Sequence, residues 1–489
     1  MPTRAGRVCV GTEQSMHMEK PPVVLINSPS LAAKEKHYER PRYPRLSIAY
    51  LAGYLRAQGI HCLAIDAKYE GISLQELIRR VIRVQPDIIG LTAMTPEIHE
   101  TVQTAHAIKA ALPRVKLLIG GPHVTALPEE TLREFPVFDC AVIGEGEQAM
   151  ADLARRIDDP QSISGIVYRR GDSFCTTDSP QLVLDLDSIT HPAWDMFSPS
   201  KVYPIIATRG CPFNCNFCMR VSGKKVRWRS PEHIAAEVEN LIESYRIERI
   251  VFHDETFGLD KKWAHRLLDL MIAKDFPKKI TWEATTRVDI ADLDIYRKMK
   301  AAGCAWLAFG VESGNPEILK QTRKGITLEQ AEHAVRLARK AKLSLGSLFI
   351  IGHPNETRKT IQDTVAFAAR LPTETVSCGL MVPYPGTEVA EIVKRGEGNY
   401  RVLSHDWRDF NKQVGNVLEF NDIPRKDLEY YQLKLYLSFY LRYFRFRKIT
   451  AIAKIIGFRA LFSGAFFIVS QACVKFFKEL CSKENKGKR

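Results

Sequence analysis

Short apolar runs and amphipathic stretches alternate along the first third of the chain. The runs at 23–27, 62–66, 87–93, 116–119 and 140–143 are short and rich in Val, Ile and Leu, which predicts buried strands. Between them 48–58, 74–84, 98–111 and 129–135 carry apolar residues at helical spacing and predict helices. Strict alternation of this kind implies a doubly wound, Rossmann-like parallel sheet covered on both faces, with a ligand at the strand carboxyl ends. From 158 to 200 Pro, Ser and Asp scatter around a hairpin expected at 165–176, so this stretch is expected to be a linker. Apolar runs then resume at 204–208, 249–253, 281–285, 306–310, 347–351 and 376–381 with helical stretches between them. Six such strands predict a partial TIM-type (β/α)6 barrel whose site lies at the strand carboxyl ends. The expected fold class is therefore α/β: a disordered 1–20, a first domain at 21–157, a linker at 158–200, a barrel at 201–395 and a helical extension at 396–489.

Composition adds little for the two domains, since 45% hydrophobic and 26% charged residues describe an ordinary globular chain. Charge adds more, because of where it sits. The net charge is +14, and the residues after Pro424 hold 15 Lys/Arg against 4 Asp/Glu, a balance of +11. The remaining domains are thus close to neutral and no nucleic-acid partner is expected. The same tail is aromatic, with Tyr430, Tyr431, Tyr436, Phe439, Tyr440, Tyr443, Phe444 and Phe446 interleaved with cations, a mixture suited to a headgroup boundary. The uncharged stretch 460–474 is too short to span a bilayer. The expectation is a cytoplasmic protein resting on the anionic inner face of the membrane, against a competing reading of a helical bundle packed on the barrel. Eleven cysteines with one close cluster, and no secretory-type apolar stretch in the first 20 residues, indicate a reducing compartment.

That cluster is Cys211-Pro212-Phe213-Asn214-Cys215-Asn216-Phe217-Cys218. Three thiolates this close suit three irons of a cubane and leave the fourth iron open, whereas structural zinc requires four closed ligands. The next candidate donor, His233, lies well downstream on a helical stretch. Cys304 and Cys378 stand alone near strands and read as small hydrophobes. In the first domain the strand ends carry Asn27-Ser28-Pro29, Thr92 to Pro96 with Thr95 among them, Gly120-Gly121-Pro122-His123 and Gly144-Glu145-Gly146-Glu147. Glycines there permit close approach of a bulky cofactor, and also make ordinary strand-to-helix turns. A dinucleotide reading of Gly144-x-Gly146-x-x-Ala149 competes but fits badly, because the strand is the fifth and Glu145 and Glu147 would oppose a phosphate. In the barrel the strand ends carry His253-Asp254-Glu255, Thr286-Arg287-Val288-Asp289, Gly310-Val311-Glu312-Ser313-Gly314, Gly352 to Thr357 and Pro383-Tyr384-Pro385-Gly386-Thr387.

Pro44 to Ala52, Gly120 to Thr125 and Ile143 to Glu147, in that order, resemble the cobalamin-binding domain of the class B (cobalamin-dependent) radical S-adenosylmethionine (SAM) enzymes, and the cysteine loop resembles the defining motif of the radical SAM superfamily. The resemblance implies a 4Fe-4S cluster on Cys211, Cys215 and Cys218, with SAM chelated to the open iron and cleaved by one electron to a 5'-deoxyadenosyl radical. It implies SAM contacts from Phe217 beside the adenine, from Glu255 or neighbouring Asp254 to the amino group, from Arg287 to the carboxylate, and from Glu312 and Ser313. It implies cobalamin contacts from Thr95, Gly120, Gly121, His123, Gly144, Glu145 and Gly146. No Asp-x-His-x-x-Gly run is present, so the lower face of the cobalt stays unassigned. No side chain is assigned to the chemistry itself, since the radical arises at the cluster; Tyr384 is a candidate. The expected activity is methylation of an unactivated carbon in a small or lipid-linked apolar substrate, with a flavodoxin or ferredoxin as reductant. A cyclase or rearrangement enzyme without methyl transfer, and a non-enzymatic cobalamin or iron-sulfur sensor, are the competing readings.

Overall fold

The computed structural model describes residues 23–30 and 41–442. The stretch expected to be disordered, 1–20, and the tail beyond 442, including 460–474, lie outside the described residues.

The first domain is a seven-stranded sheet of β1 (Val23–Asn27), β2 (Cys62–Asp66), β3 (Ile88–Thr92), β4 (Lys116–Gly120), β5 (Cys140–Val142), β6 (Ile166–Arg170) and β7 (Ser173–Thr176), in the order β2-β1-β3-β4-β5-β6-β7. Strands β1 to β5 run parallel, and β6 and β7 add an antiparallel hairpin at the edge. The hairpin expected inside the linker is therefore part of the sheet: Ile166 and Val167 are fully buried and extend the core past the three-residue β5. The helices Leu46–Ala57, Leu74–Val84, Ile98–Ala111 and Pro128–Glu134 fall where their periodicity placed them. Ala67–Glu70, Pro122–Ala126 and Glu147–Arg156 are additional; the first two are too short to show a period.

The rest of the expected linker is not loose either. Leu186, Ile189, Trp194 and Phe197 are buried, and the Ala193 N–H donates to the Ala49 carbonyl at 2.9 Å. These side chains join the core of the first sheet to that of the barrel in one continuous cluster, so the two domains share an interior.

The barrel half contains β8 (Val202–Ile205), β9 (Arg249–Phe252), β10 (Thr281–Thr286), β11 (Cys304–Glu312), β12 (Leu345–Ile351) and β13 (Thr375–Leu380), all parallel and in sequential order, with β8 and β13 at the open edges. Beyond it, Tyr400–Val402 pairs with Leu418–Phe420, and helix Arg425–Arg442 lies on helix Arg358–Arg370 and β13. This helix corrects the headgroup reading of its aromatics. Tyr431, Phe439 and Tyr440 are buried against the barrel, and the Tyr436 hydroxyl accepts from the Cys378 N–H at 2.9 Å. Among the described residues no helix is long and apolar enough to cross a membrane.

Candidate active site at the facing strand ends

The carboxyl ends of the two sheets meet. Gly386 after β13 lies against Ala126 of the first domain and Met219 beside the cysteine loop, and the Tyr43 hydroxyl is 2.7 Å from His253 Nε2. The cysteine loop leaves β8 through Thr208–Arg209 and returns through Arg227–Trp228, and these two short strands pair antiparallel to close its base. Gly210, at φ +97°, turns the chain into the loop where any side chain would strike the Lys225 carbonyl. The loop body is fastened by the Cys211 N–H to the Gly223 carbonyl at 3.1 Å and by the Asn216 N–H to the Thr322 carbonyl at 3.1 Å.

Cys211, Cys215 and Cys218 all carry free thiols, half-buried, buried and exposed in turn. Burial raises the Cys215 thiol above its ordinary range, with Lys324 and Arg287 pulling the other way. Among the described residues no three Cys, His, Asp or Glu side chains converge on one ion position. A cubane takes each thiolate at a separate corner, so three separated thiols on one loop fit it and do not make the closed tetrahedron of structural zinc.

Several assignments change once the side chains are in place. Glu145 and Glu147 face the cysteine loop rather than a cofactor. Glu145 holds Arg227 through both oxygens and also meets Arg209 at 3.3 Å, while Glu147 binds Arg209 at 2.6 Å, all four side chains being nearly excluded from solvent. The base of the loop is thus tied to the first domain by buried ion pairs. Arg287 does not present its fork to a carboxylate ligand: Nε and Nη2 each bond Asp289 at 2.9 Å, Nη2 also donates to the Lys324 carbonyl at 2.7 Å, and the guanidinium stacks 3.5 Å over the Phe213 ring. It is a pillar under the loop. Ser313 is fully buried, 3.1 Å from the Thr364 hydroxyl, and faces the helix layer instead of the site.

Of the two acidic candidates after β9, Asp254 is committed to the chain leaving β8, accepting from the Thr208 hydroxyl at 2.6 Å and the Ala207 N–H at 3.3 Å. Burial pushes it up to about 6. Glu255 beside it is exposed and feels the charges of Arg209 and Arg227, while burial raises its carboxyl above the ordinary range. Glu312 lies at a bulge of β11 with φ +72° and binds Lys324 Nζ at 2.9 Å. Phe217 packs with Ile350 and Tyr384 on a small apolar cluster, edge-on to His353 at 5.4 Å.

The sequence alone did not single out His353 or Lys324. His353 is fully buried with both ring nitrogens unpartnered, and burial drops it to about 4, so it is neutral at physiological pH. An orphaned imidazole beside Phe217 fits a ligand with hydrogen-bonding ring edges, such as an adenine. In the first domain the strand order reverses between β1 and β3, and there Ser28 Oγ is buried without a partner. An orphaned hydroxyl in the switch-point crevice fits a polar cofactor edge. Thr95 and His123 come together, at 3.4 Å, and Trp407 closes over His123 edge-on at 5.0 Å. Burial takes His123 down to about 4. Gly121, at φ +103°, packs against the Ala93 carbonyl rather than lining an opening, and Gly144 packs against Pro180; Gly120 and Gly146 lie beside Val142.

The sequence comparisons agree with this geometry. Residues 205–368 match the radical SAM superfamily and residues 40–154 match the B12 binding domain. An uncharacterized methyltransferase of Pyrococcus horikoshii, PH0819, is 32% identical over 412 residues, covering 82% of this chain and 88% of the relative. The anaerobic magnesium-protoporphyrin IX monomethyl ester cyclase of Cereibacter sphaeroides is 28% identical over 72% of this chain and 60% of its own length. In fold the chain resembles the radical SAM methyltransferase TsrM of Kitasatospora setae, solved with cobalamin and a 4Fe-4S cluster bound, at a TM-score of 0.67 and 17% identity over 86% of this chain and 89% of that one. It also resembles the cobalamin-dependent radical enzyme OxsB with aqua-cobalamin bound, at a TM-score of 0.70 and 18% identity over 86% and 67% of the respective chains. On these matches this chain belongs to the cobalamin-dependent, class B family of radical SAM enzymes, whose cofactors are a 4Fe-4S cluster, SAM and cobalamin.

Proposed function

We propose that the enzyme transfers a methyl group to an unactivated carbon of an apolar substrate. The observation that carries this reading is the juxtaposition of the cysteine loop with the first sheet through the Glu145, Glu147, Arg209 and Arg227 ion pairs, which supports cluster and cobalamin acting on one substrate between the two domains. When bound, the cluster and SAM supply the one-electron chemistry that removes a non-acidic hydrogen, and cobalamin supplies the methyl group.

The protein's own groups bind, orient and exclude. Cys211, Cys215 and Cys218 would hold the cluster, with Arg287 stacked on Phe213 to fix the loop's height above the barrel. Glu255 would take the amino group of SAM, and Phe217 with His353 the adenine. Ser28, Thr95 and His123 would border the corrin from the first domain, with Trp407 closing one side. Phe217 of the loop, Ile350 and Tyr384 are partly buried on one apolar cluster, which supports an apolar substrate beside the loop. Tyr384 belongs to that cluster, so its proposed part is in substrate contact.

A second reading, carbon-bond formation without methyl transfer, is favoured by the similarity to the cyclase. Product mass separates the two. Anaerobically reconstituted enzyme given an apolar substrate extract and SAM is expected to yield 5'-deoxyadenosine, S-adenosylhomocysteine and a product heavier by one methylene unit. A product without added mass and no S-adenosylhomocysteine would establish the second reading. Absence of reductive SAM cleavage by cluster-loaded protein would refute both.

A further inference from the structure

The outer limb of the cysteine loop, 219–228, and the segment beside it, 182–187, expose side chains that take no part in the site. The two run together. Arg227 donates to the Val183 carbonyl at 2.7 Å, the Ser230 N–H donates to Asp187 at 2.8 Å, and a Cβ on Gly223 would lie 4.0 Å from Leu182 Cδ1. Leu182, Leu184 and Trp228 are exposed by 36%, 65% and 38%, whereas most large apolar side chains of this chain are buried in its cores. One exposed leucine is ordinary, but three large apolar groups on adjoining stretches mark an interaction surface.

The charges give that surface a sign. Lys224 and Lys225 are exposed, and among the described residues neither meets a carboxylate. Arg220 on the same limb donates to the Phe213 carbonyl and to Asn214, neither of which is an anion. The neighbouring carboxylates are engaged elsewhere: Asp187 with Ser230 and His233, Asp185 with the Asp187 N–H, and Glu145 with Arg209 and Arg227. Uncompensated cations around exposed apolar groups draw in an acidic partner. The limb is also fastened to the cluster loop itself. The Gly223 carbonyl accepts from the Cys211 N–H at 3.1 Å, and the Lys225 carbonyl covers Gly210, where a Cβ would come within 2.3 Å of it. A partner seated here is one hydrogen bond from the backbone of a cluster ligand.

We propose that 182–187 and 219–228 form the docking surface of a small acidic one-electron carrier, a flavodoxin or a ferredoxin, with Lys224 and Lys225 steering it into place. The proposal deepens the proposed function and rests on its reading of Cys211, Cys215 and Cys218 as a cluster site. SAM, cobalamin and substrate must meet at the facing strand ends, so the carrier needs another way in. In the docked pair the carrier's reduced flavin or iron-sulfur group loses one electron and the cluster gains it beside Cys211; no bond is made or broken. Redox encounters bury little area, so a few charges decide both their rate and their strength.

The test uses anaerobically reconstituted, full-length protein as wild type, as Lys224→Glu/Lys225→Glu, and as the control Lys262→Glu/Lys340→Glu, which changes net charge equally at exposed positions on two barrel helices. Calorimetry measures binding of an oxidised acidic flavodoxin and of an oxidised acidic ferredoxin at several salt concentrations. Stopped-flow absorbance measures bleaching of the cluster by each reduced carrier and by dithionite. The carrier that wild type binds is expected to bind the loop variant at least tenfold more weakly, with a shallower salt dependence, and to bleach its cluster at least tenfold more slowly. Dithionite should act within twofold of its wild-type rate, and the control should match wild type within twofold throughout. Affinity and bleaching within twofold of wild type in the loop variant overturn the proposal. So do equal slowing with dithionite, which would indicate damage to the loop, and an equal loss in the control, which would indicate net charge alone. Wild type that binds neither carrier also overturns it, and binding to anionic phospholipid vesicles instead would assign the surface to a membrane. Wild type with no cluster that dithionite can bleach would refute the cluster reading on which the proposal rests.

Discussion

Replacing Glu147 with glutamine tests whether the buried ion pairs hold the cysteine loop in place. Glu147 and Arg209 expose only 6% and 10% of their side chains and meet at 2.6 Å. Breaking a buried pair by removing one charge costs roughly 3–5 kcal/mol, mostly from the uncompensated partner. Arg209 would keep Glu145 at 3.3 Å, a partner already shared with Arg227. The expected loss is therefore about 2–3 kcal/mol, below that range but well above a surface pair. It should be local, so the assay is hydrogen exchange read at the amides of 208–211 and 227–229, compared with those of β1 and β3. The control is Glu129→Gln, which removes an exposed pair with Arg133 and should cost about 0–1 kcal/mol. Exchange at the loop base changing no more in Glu147→Gln than in the control would refute the reasoning, and with it the claim that the first domain fixes the loop.

Glu356 gives a pH prediction. Burial raises it to about 8 from its ordinary 4.5, and its Oε1 has no partner while Oε2 accepts the Gly352 and His353 N–H groups. The folded protein therefore retains a proton that the unfolded chain gives up. This contribution to stability is full below about pH 4.5 and is lost as the pH rises through 8. Glu356→Gln should flatten the pH dependence of the thermal midpoint between those limits and melt higher than wild type above pH 8; an unchanged slope would contradict this. Gly121→Ala places a Cβ 2.6 Å from the Ala93 carbonyl at a φ of +103°, so the first domain should lose about 1–3 kcal/mol in urea and release cobalamin on gel filtration. Tyr436→Phe leaves the Cys378 N–H unpartnered at a buried position and should cost about 1–3 kcal/mol, seen as faster exchange at 376–380.

The alternation of strands and helices was plain in the sequence because β1–β5 and β8–β13 run parallel with helices between them, which makes most of these strands short apolar runs. The cysteine loop was plain because iron-sulfur ligation needs thiolates at close spacing. What the sequence concealed was the pairing of charges. Glu145, Arg287 and Ser313 sit at strand ends like true ligand contacts, yet each is taken up by a partner distant in sequence: Arg227, a stacked Phe213 with Asp289 close by, and Thr364. Spacing reports which end of a strand a residue occupies and says nothing of who reaches it first. Lys324 was hidden for the same reason, since it enters from a turn after helix Pro316–Gln321 instead of a strand end. The aromatics of 428–442 misled because tyrosines that pack on a sheet edge and tyrosines that sit at a lipid boundary have the same composition.

That edge bears on how the chain can be divided. On β13 the N–H groups of Val376, Cys378 and Leu380 point away from the sheet, and they are taken by the Tyr440 hydroxyl, the Tyr436 hydroxyl and the Lys412 carbonyl. A fragment trimmed to the two domains alone would present a bare ladder of donors and acceptors to its neighbours, an invitation to strand-to-strand aggregation. Residues 400–442 are thus a permanent chaperone for their own barrel, and any expression of the catalytic unit should retain them.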